Sequence, residues 1–241
     1  MLDVSELVKR SPIRILDAAI HGGLKAGEMG VIAAPSGIGK TSVLVQLGMD
    51  KLMQGKKVVH VSFTQDADYV LVWYQDIFNE LIKKKHLQDG KEVKKELEKN
   101  RVLLKFTQEG LTVDQILKSV SALIKDGGFN ADAVIVDGLK FAKVKESHIA
   151  AFKAFAAEMN VALWFSCTVK GEEPLYDKQD IPVVIKDYAK LFEVIVILKP
   201  KQDGITLTVS RDREERIPED LALKLDSKTL LILEQAADFS K

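Results

Sequence analysis

The sequence predicts an α/β fold in which a mostly parallel β-sheet is flanked by helices. Three observations support this prediction. The apolar run 29–33 is followed by a loop of small residues and then by a helix-forming segment, 41–47. Other apolar runs alternate with segments of helical periodicity, as they do where crossover helices connect parallel strands. A second run, 131–137, ends in an aspartate, and the C-terminal ends of parallel strands share one edge of a sheet.

Composition limits the classes of protein to which this chain can belong. Its 241 residues are 46% hydrophobic and 29% charged, which suits one large domain over residues 1–241. The formal net charge is zero, which argues against a protein that coats nucleic acid by bulk electrostatics. Cys167 is the only cysteine, so a reducing compartment is favoured. Because no apolar stretch reaches membrane-spanning length and the first residues lack a signal-peptide pattern, we expect a cytoplasmic protein with no membrane partner.

The other elements follow from local patterns. Apolar runs predict strands at 29–33, 58–63, 102–106, 131–137, 161–167, 193–199, 205–209, 221–225 and 230–233. Periodic segments predict helices beginning at Thr41, Asp68, Thr112, Ser147 and Asp180. Thr112 and Gln115 form a capping-box pattern, and Asp203-Gly204 is typical of a hairpin turn. An apolar stripe on the second helix, which includes Trp73, is expected to pack into the core.

The loop after the first strand matches the phosphate-binding pattern, with alanine in the first glycine position. The matching residues are Ala34, Pro35, Ser36, Gly37, Ile38, Gly39, Lys40 and Thr41, followed by Ser42. Small residues let successive backbone N–H groups point at one anion, and the helix N-terminus adds partial positive charge. Lys40, the expected catalytic residue, would contact the outer phosphates, and the Thr41 hydroxyl would ligate Mg²⁺. The loop therefore predicts ATP and Mg²⁺ as cofactors.

Asp137 is the second residue predicted to belong to the nucleotide site. It ends an apolar run roughly 100 residues beyond the phosphate loop. An aspartate after a strand is by itself a common turn residue. In an alternating strand–helix chain it lies near the bound phosphates, where it would hold Mg²⁺, usually through a water.

A wider pattern around the loop resembles a known superfamily. Leu16-Asp17, then Gly22-Gly23-Leu24, then Gly27-Glu28 precede the phosphate loop, and this order resembles the RecA-type ATPases. The likeness is strongest to KaiC-type clock ATPases and to the DnaB-type replicative helicase motor, and it extends roughly over 13–233. It implies a RecA-like P-loop NTPase fold that binds ATP.

The same resemblance exposes two departures at positions that serve hydrolysis. Relatives carry a water-polarising glutamate where this chain has Thr64-Gln65, and Asp66 is either a substitute carboxylate or a helix N-cap. Relatives carry a phosphate-sensing glutamine where this chain has Cys167, which we expect to be a buried small hydrophobe. Loss of a general base typically costs roughly 10²–10⁴ in rate. Nucleotide binding is therefore predicted more firmly than hydrolysis.

Two surface features bear on partners. Arg211 and Arg213 match a Lys-x-Arg motif that in relatives reaches a neighbouring subunit's nucleotide, which would imply a homo-oligomeric ring or filament. The alternative is an ordinary solvated turn. The segment 83–105 carries nine Lys or Arg against four Asp or Glu, and we favour a solvated helical surface over a docking patch. No aromatics are interleaved with these cations, so DNA is a less favoured partner.

Three functions stay open from the sequence. The first is a RecA/KaiC-like protein that acts as a weak Mg²⁺-dependent ATPase or ATP switch. The second is a catalytically degraded nucleotide-binding scaffold that acts through an unidentified protein partner. The third is a DNA-dependent ATPase of recombination or replication. The substitutions at Thr64, Gln65 and Cys167 are the sequence features that separate them.

Overall fold

One mixed sheet organises the computed structural model, which describes residues 8–9, 11–63, 67–85, 90–107, 112–171, 173–202, 204–214, 219–226, 228–229 and 231–234. Within these residues, nine strands lie in the order β3-β2-β4-β5-β1-β6-β7-β8-β9. Their bounds are β1 Met29–Ala34, β2 Val58–Ser62, β3 Arg101–Lys105, β4 Ala133–Asp137, β5 Ala162–Thr168, β6 Val194–Lys201, β7 Gly204–Asp212, β8 Glu219–Leu225 and β9 Ile232–Glu234.

The strand directions confirm the predicted α/β fold. Strands β1 to β6 run parallel, with β1 between β5 and β6 at the centre of the sheet. Strands β7, β8 and β9 continue the sheet in antiparallel pairs. Lys201 pairs with Gly204 across the β6–β7 connection, as the hairpin signal predicts, although Asp203 itself lies outside the described residues. The parallel strands bring their C-terminal ends to one edge, which is where ligands bind in open α/β sheets.

Six α-helices are described, and they flank the sheet. Their bounds are α1 Ile13–Ala19, α2 Lys40–Met53, α3 Ala67–Lys85, α4 Gly90–Lys99, α5 Val113–Lys125 and α6 Glu146–Met159. The capping box at the start of α5 is confirmed, because Thr112 Oγ1 accepts from Gln115 N at 3.3 Å and Gln115 Oε1 accepts from Thr112 N at 2.9 Å. In the described part of the chain, none of the helices combines the length and the apolar character that crossing a membrane requires.

The last predicted helix differs from expectation. The helix begins at Val183 rather than at Asp180, runs to Leu191 as a 3₁₀ helix, and is interrupted at Tyr188, where φ is −126°. A shorter 3₁₀ turn, Phe141–Lys143, follows β4. Tyr188 is buried, so packing against the core sets this backbone rather than helical propensity. The sequence also predicts a helix from Asp68 to Leu87, and the structure describes a helix there over Ala67–Lys85. Leu87 itself lies outside the described residues.

Two hydrophobic cores lie on the two faces of the sheet. One joins the sheet to α1, α2, α3 and α4 through residues such as Leu16, Leu44, Val70 and Leu97. The other joins it to α5, α6 and the longer 3₁₀ helix through residues such as Ile116, Phe152 and Ile185. Strand β1 is buried along its whole length because it has a core on each face.

The Leu-Asp and Gly-Gly pieces of the sequence pattern meet in one tight turn after α1. The backbone N–H groups of Gly22 and Gly23 donate to Asp17 O at 2.7 and 3.0 Å. Gly23 has a φ of +86°, and a Cβ at this position would lie 2.5 Å from Asp17 Oδ1. The left-handed backbone favours glycine here, and any side chain would also have to displace the Asp17 carboxylate.

Candidate nucleotide site

The phosphate loop joins β1 to α2 at the C-terminal edge of the sheet. Ala34 ends β1, Lys40 begins α2, and Pro35 to Gly39 form the turn between them. Gly37 and Gly39 have φ values of +80° and +100°, in the left-handed region that favours glycine. The loop backbone therefore curls as an anion-binding turn requires, directly before the N-terminus of a 14-residue helix.

Lys40 lies folded against its own loop. Its Nζ donates to the carbonyl oxygens of Ala34 at 3.1 Å and Pro35 at 2.7 Å. Burial lowers the pKa of Lys40, while proximity to Cys167 and to the Asp137 carboxylate acts in the opposite direction. The ammonium is thus a desolvated donor at the loop, and phosphate oxygens would be stronger acceptors for it than the two carbonyls.

Asp137 and Thr41 meet above the end of β4, as the sequence predicts for a shared magnesium site. The Thr41 hydroxyl donates to Asp137 Oδ2 at 2.8 Å. The other carboxylate oxygen, Oδ1, accepts from the Ser166 hydroxyl at 2.5 Å, and Ser166 Oγ accepts from Gly138 N at 2.8 Å. Asp137 and Ser166 are buried. Adjacent hydroxyl and carboxylate oxygens are hard donors of the kind that Mg²⁺ prefers, so these residues fit that ion.

A cleft of about 300 Å³ opens beside the phosphate loop. Its lining consists of Ser36, Gly37, Gly39, Lys40, Thr41, Ser42, Tyr69, Trp73, Asp137, Gly138, Ser166 and Thr168. Of the predicted loop residues, Ala34, Pro35 and Ile38 adjoin this cleft along the chain without lining it. The cleft size falls at the lower end of the range for small-molecule sites.

Five cleft residues were not predicted as site residues from the sequence: Tyr69, Trp73, Gly138, Ser166 and Thr168. Trp73 packs partly against the core, as its helical stripe predicts, but it also lines the cleft. Tyr69 packs edge-to-face against Trp73, with ring centroids 5.9 Å apart. Ser166 and Thr168 alternate along β5, so the cleft-facing side of that strand was the available signal.

Of the two positions that depart from the RecA-type pattern, the structure describes one, Cys167. Thr64, Gln65 and Asp66 lie outside the described residues. Cys167 is fully buried in the core on the α5 and α6 face, and burial raises its thiol pKa to about 12. The prediction that Cys167 is a buried small hydrophobe is confirmed. Thr168, the next residue, is exposed at the cleft.

Arg211 and Arg213 lie at the opposite edge of the sheet from the phosphate loop. Strand β7 runs antiparallel to β6, so Arg211 pairs with Ile195 near the start of β6. The Arg213 guanidinium donates five hydrogen bonds within the chain, at 2.6 to 3.1 Å, to Glu28, Asp212 and the carbonyl oxygens of Ile20 and Gly23. The solvated-turn alternative is therefore wrong for Arg213, whereas contact with a neighbouring subunit's nucleotide stays a prediction.

Three lysines of the basic segment lie beside glutamates on the same helix. Lys83 lies 2.8 Å from Glu80, Lys94 lies 3.9 Å from Glu98, and Lys99 lies 3.4 Å from Glu96. These are surface pairs one helical turn apart. The arrangement favours a solvated helical surface over a nucleic-acid patch.

Comparison with known proteins bears on the family. Residues 2–164 match a family model described as an AAA domain, and the match contains the phosphate loop and Asp137. A search of curated proteins found no match. Because the matched residues make up more than half of the chain, and because the sheet and its loop have the P-loop NTPase arrangement, the protein belongs to this AAA-domain family of P-loop ATPases, which is related to RecA and DnaB-like helicases.

Proposed function

We propose that the protein binds ATP with Mg²⁺ at the phosphate loop and acts as an ATP switch with weak Mg²⁺-dependent hydrolysis. Residues 34–42, apart from Pro35, which has no N–H, would hold the phosphates through backbone N–H groups, and Lys40 would contact the outer phosphates. Thr41 and Asp137 would hold Mg²⁺, which supplies charge neutralisation between the phosphates when bound. We also propose that residues 1–241 form one nucleotide-binding domain.

The observation that carries this proposal is the convergence of Lys40, Thr41 and Asp137 on one cleft. The three side chains come from the phosphate loop and from a strand that follows it by almost 100 residues, and Thr41 contacts Asp137 directly at 2.8 Å. Ser166 fixes the carboxylate from a third strand. A surface turn that matched the loop pattern by chance would not bring a buried aspartate to this place.

Weak hydrolysis follows from the acids that line the cleft. Among the lining residues that the structure describes, Asp137 is the one carboxylate, and it is engaged by two hydroxyls. A magnesium ligand cannot also serve as the general base for an attacking water. Asp66 keeps its two alternatives, substitute base or helix cap.

The scaffold function is the second candidate, because apolar side chains are exposed next to the cleft. Tyr69, which lines the cleft, and Val72, one turn further along α3, are both about half exposed. Exposed apolar residues in a cluster favour contact with a protein partner. A homo-oligomeric ring or filament through Arg211 and Arg213 is less favoured, because Arg213 is engaged within its own chain. A DNA-dependent ATPase is the least favoured.

The decisive measurement is ATP affinity by calorimetry in the presence of Mg²⁺. Lys40→Ala deletes a charge-assisted contact with phosphate, so we expect affinity to fall roughly 10- to 100-fold. Lys25→Ala removes an exposed lysine before β1, and we expect this control to bind as the wild type does. Equal affinity of Lys40→Ala and wild type would contradict the proposal.

A steady-state phosphate-release assay separates the three functions. A slow rate that DNA does not change supports the ATP switch, no release above background supports the scaffold, and strong stimulation by DNA supports the third function. Asp66→Asn tests the substitute base in the same assay. A fall in rate with unchanged ATP affinity assigns catalysis to Asp66.

A further inference from the structure

A second cavity lies on the α3 side of the sheet, away from the phosphate loop. It has a volume of about 260 Å³ and is bounded by α2, α3, α4 and the start of β3. Its apolar wall is formed by Met49, Leu71, Phe78 and Leu97. A space of this size holds a small organic molecule.

The polar wall of this cavity carries more positive than negative charge. Lys94, Glu98 and Arg101 all line it. Glu98 lies 3.9 Å from Lys94, one turn earlier on α4. The Arg101 guanidinium lies 4.3 Å from the centre of the Tyr74 ring. Burial lowers the pKa of Arg101, and its electrostatic interaction with Glu98 acts in the opposite direction. The wall carries two cations, Lys94 and Arg101, against one carboxylate. Because Arg101 is partly desolvated, an anion beside it would be held strongly.

The residue stacked on Arg101 also contacts the interior next to the nucleotide site. Tyr74 is buried, and its hydroxyl lies 3.2 Å from His60 Nδ1 on β2, the strand beside β4. The same hydroxyl packs against α2, because a Cβ on Gly48 would lie 2.5 Å from it. Trp73, the preceding residue of α3, lines the nucleotide cleft. One helix therefore contributes adjacent residues to both cavities.

We propose that the cavity between α3 and α4 is a second ligand site for a small organic anion with an apolar body, and that α3 couples it to the nucleotide cleft. A carboxylate of the ligand would pair with Arg101, with Lys94 as the second cation. Its apolar body would pack against Leu71, Phe78 and Leu97. A ligand in this position restrains Tyr74, and with it the part of α3 that lines the nucleotide cleft.

The probe is hexanoate, and hexylammonium is its counterpart of equal length and opposite charge. Both are titrated into the full chain without nucleotide, so that failure of ATP binding cannot affect the result. The readout is the methyl NMR signals of Met49, Leu71 and Leu97. We expect hexanoate to shift these signals and hexylammonium to leave them unchanged.

Charge variants test the recognition. Arg101→Gln is expected to weaken hexanoate binding about 10-fold, because it removes a charge-assisted hydrogen bond from a partly desolvated site. Lys94→Gln, at a more exposed position, should weaken it about 3-fold. Lys99→Gln removes an exposed lysine of the same helix that does not line the cavity, and it should bind as the wild type does. Thermal unfolding of each variant checks that it is folded.

Coupling is read from ATP affinity with and without saturating hexanoate. We expect at least a twofold change in the wild type and none in Arg101→Gln. Absence of hexanoate binding, equal binding of hexylammonium, or unchanged binding by both charge variants would overturn the site. Hexanoate binding with an unchanged ATP affinity would overturn the coupling.

Discussion

The two edges of the parallel sheet use polar residues in opposite ways. At the N-terminal edge, Arg213 holds Glu28 together with the turn after α1, and Lys153 Nζ contacts Glu193 at 2.5 Å and Gly27 O at 2.9 Å. At the C-terminal edge, Lys40 contacts only carbonyl oxygens, and the Asp137 carboxylate is held by two hydroxyls. The charged side chains named at the N-terminal edge form ion pairs with each other. At the C-terminal edge, Lys40 and Asp137 each contact neutral groups instead.

This difference teaches where ligand-binding energy can come from. An ion pair formed between two residues of the chain adds little binding energy for a ligand, because its hydrogen bonds are already made. A desolvated ammonium against carbonyl oxygens, and a carboxylate against hydroxyls, both gain when phosphate and Mg²⁺ replace weaker partners. We therefore expect the N-terminal edge and the interior to set stability, and the C-terminal edge to set nucleotide affinity.

The largest expected effect comes from His60, which lies in the closed interior between the two edges. Burial lowers its pKa to about 4, with Arg101 acting in the same direction and Asp137 opposing both. The ordinary pKa of histidine is 6.5, so at neutral pH the His60 imidazole is neutral in the folded chain. The contribution of the neutral imidazole to the free energy of unfolding is fully present above pH 6.5 and is lost as the pH falls toward 4. The reason is that His60 takes up a proton in the unfolded chain at a higher pH than in the folded chain. The loss is on the order of 3 kcal/mol.

Urea unfolding from pH 7 to pH 4 measures this effect. His60→Gln keeps a polar side chain but cannot titrate, so we expect a shallower fall of the unfolding free energy with acid. His148→Gln, on the first turn of α6, is the matched control and should keep the full acid dependence. If the unfolding free energy of His60→Gln depended on pH as steeply as that of the wild type, groups other than His60 would govern acid stability.

The second-largest expected effect comes from Arg213, and it tests whether the N-terminal edge of the sheet sets stability rather than nucleotide affinity. Arg213→Ala removes five hydrogen bonds, but the side chain is 24% exposed, and Asp212 still contacts His21. We expect the unfolding free energy to fall by about 2 kcal/mol. ATP affinity should stay within about twofold of the wild type, because Arg213 lies at the edge opposite the phosphate loop.

Sedimentation with ADP and with a non-hydrolysable ATP analogue decides between this role and a role in trans. The RecA-type resemblance predicts that ATP promotes self-association and that Arg213→Ala abolishes it. Loss of assembly in a variant of normal stability would break the comparison, because the N-terminal edge would then serve a neighbour's nucleotide. A monomer with either nucleotide, together with reduced stability of Arg213→Ala, would support a structural role of Arg213 within its own chain.

The sequence predicted those parts of the fold and the site that depend on local patterns. The loop 34–41, the end of β4 at Asp137 and the capping box at Thr112 each follow from a short pattern, and the strands follow from apolar runs. The role of Arg213 could not be predicted, because Glu28, Ile20 and Gly23 lie about 190 positions away and meet it only through the register of β7. Trp73 matches a core stripe, and only the packing of α3 beside α2 brings it to the cleft.

The smallest expected effect belongs to Ser166, which acts on the nucleotide only through Asp137. Its hydroxyl donates to Asp137 Oδ1 and accepts from Gly138 N, so it orients the carboxylate that would hold Mg²⁺. Ser166→Ala should raise the Mg²⁺ concentration needed for half-maximal ATP binding about fivefold, the loss of one hydrogen bond of about 1 kcal/mol. Thr168→Val removes a cleft hydroxyl from the same strand and should leave this requirement unchanged. If both variants needed the same Mg²⁺ concentration as the wild type, Asp137 would hold its position without the Ser166 hydroxyl.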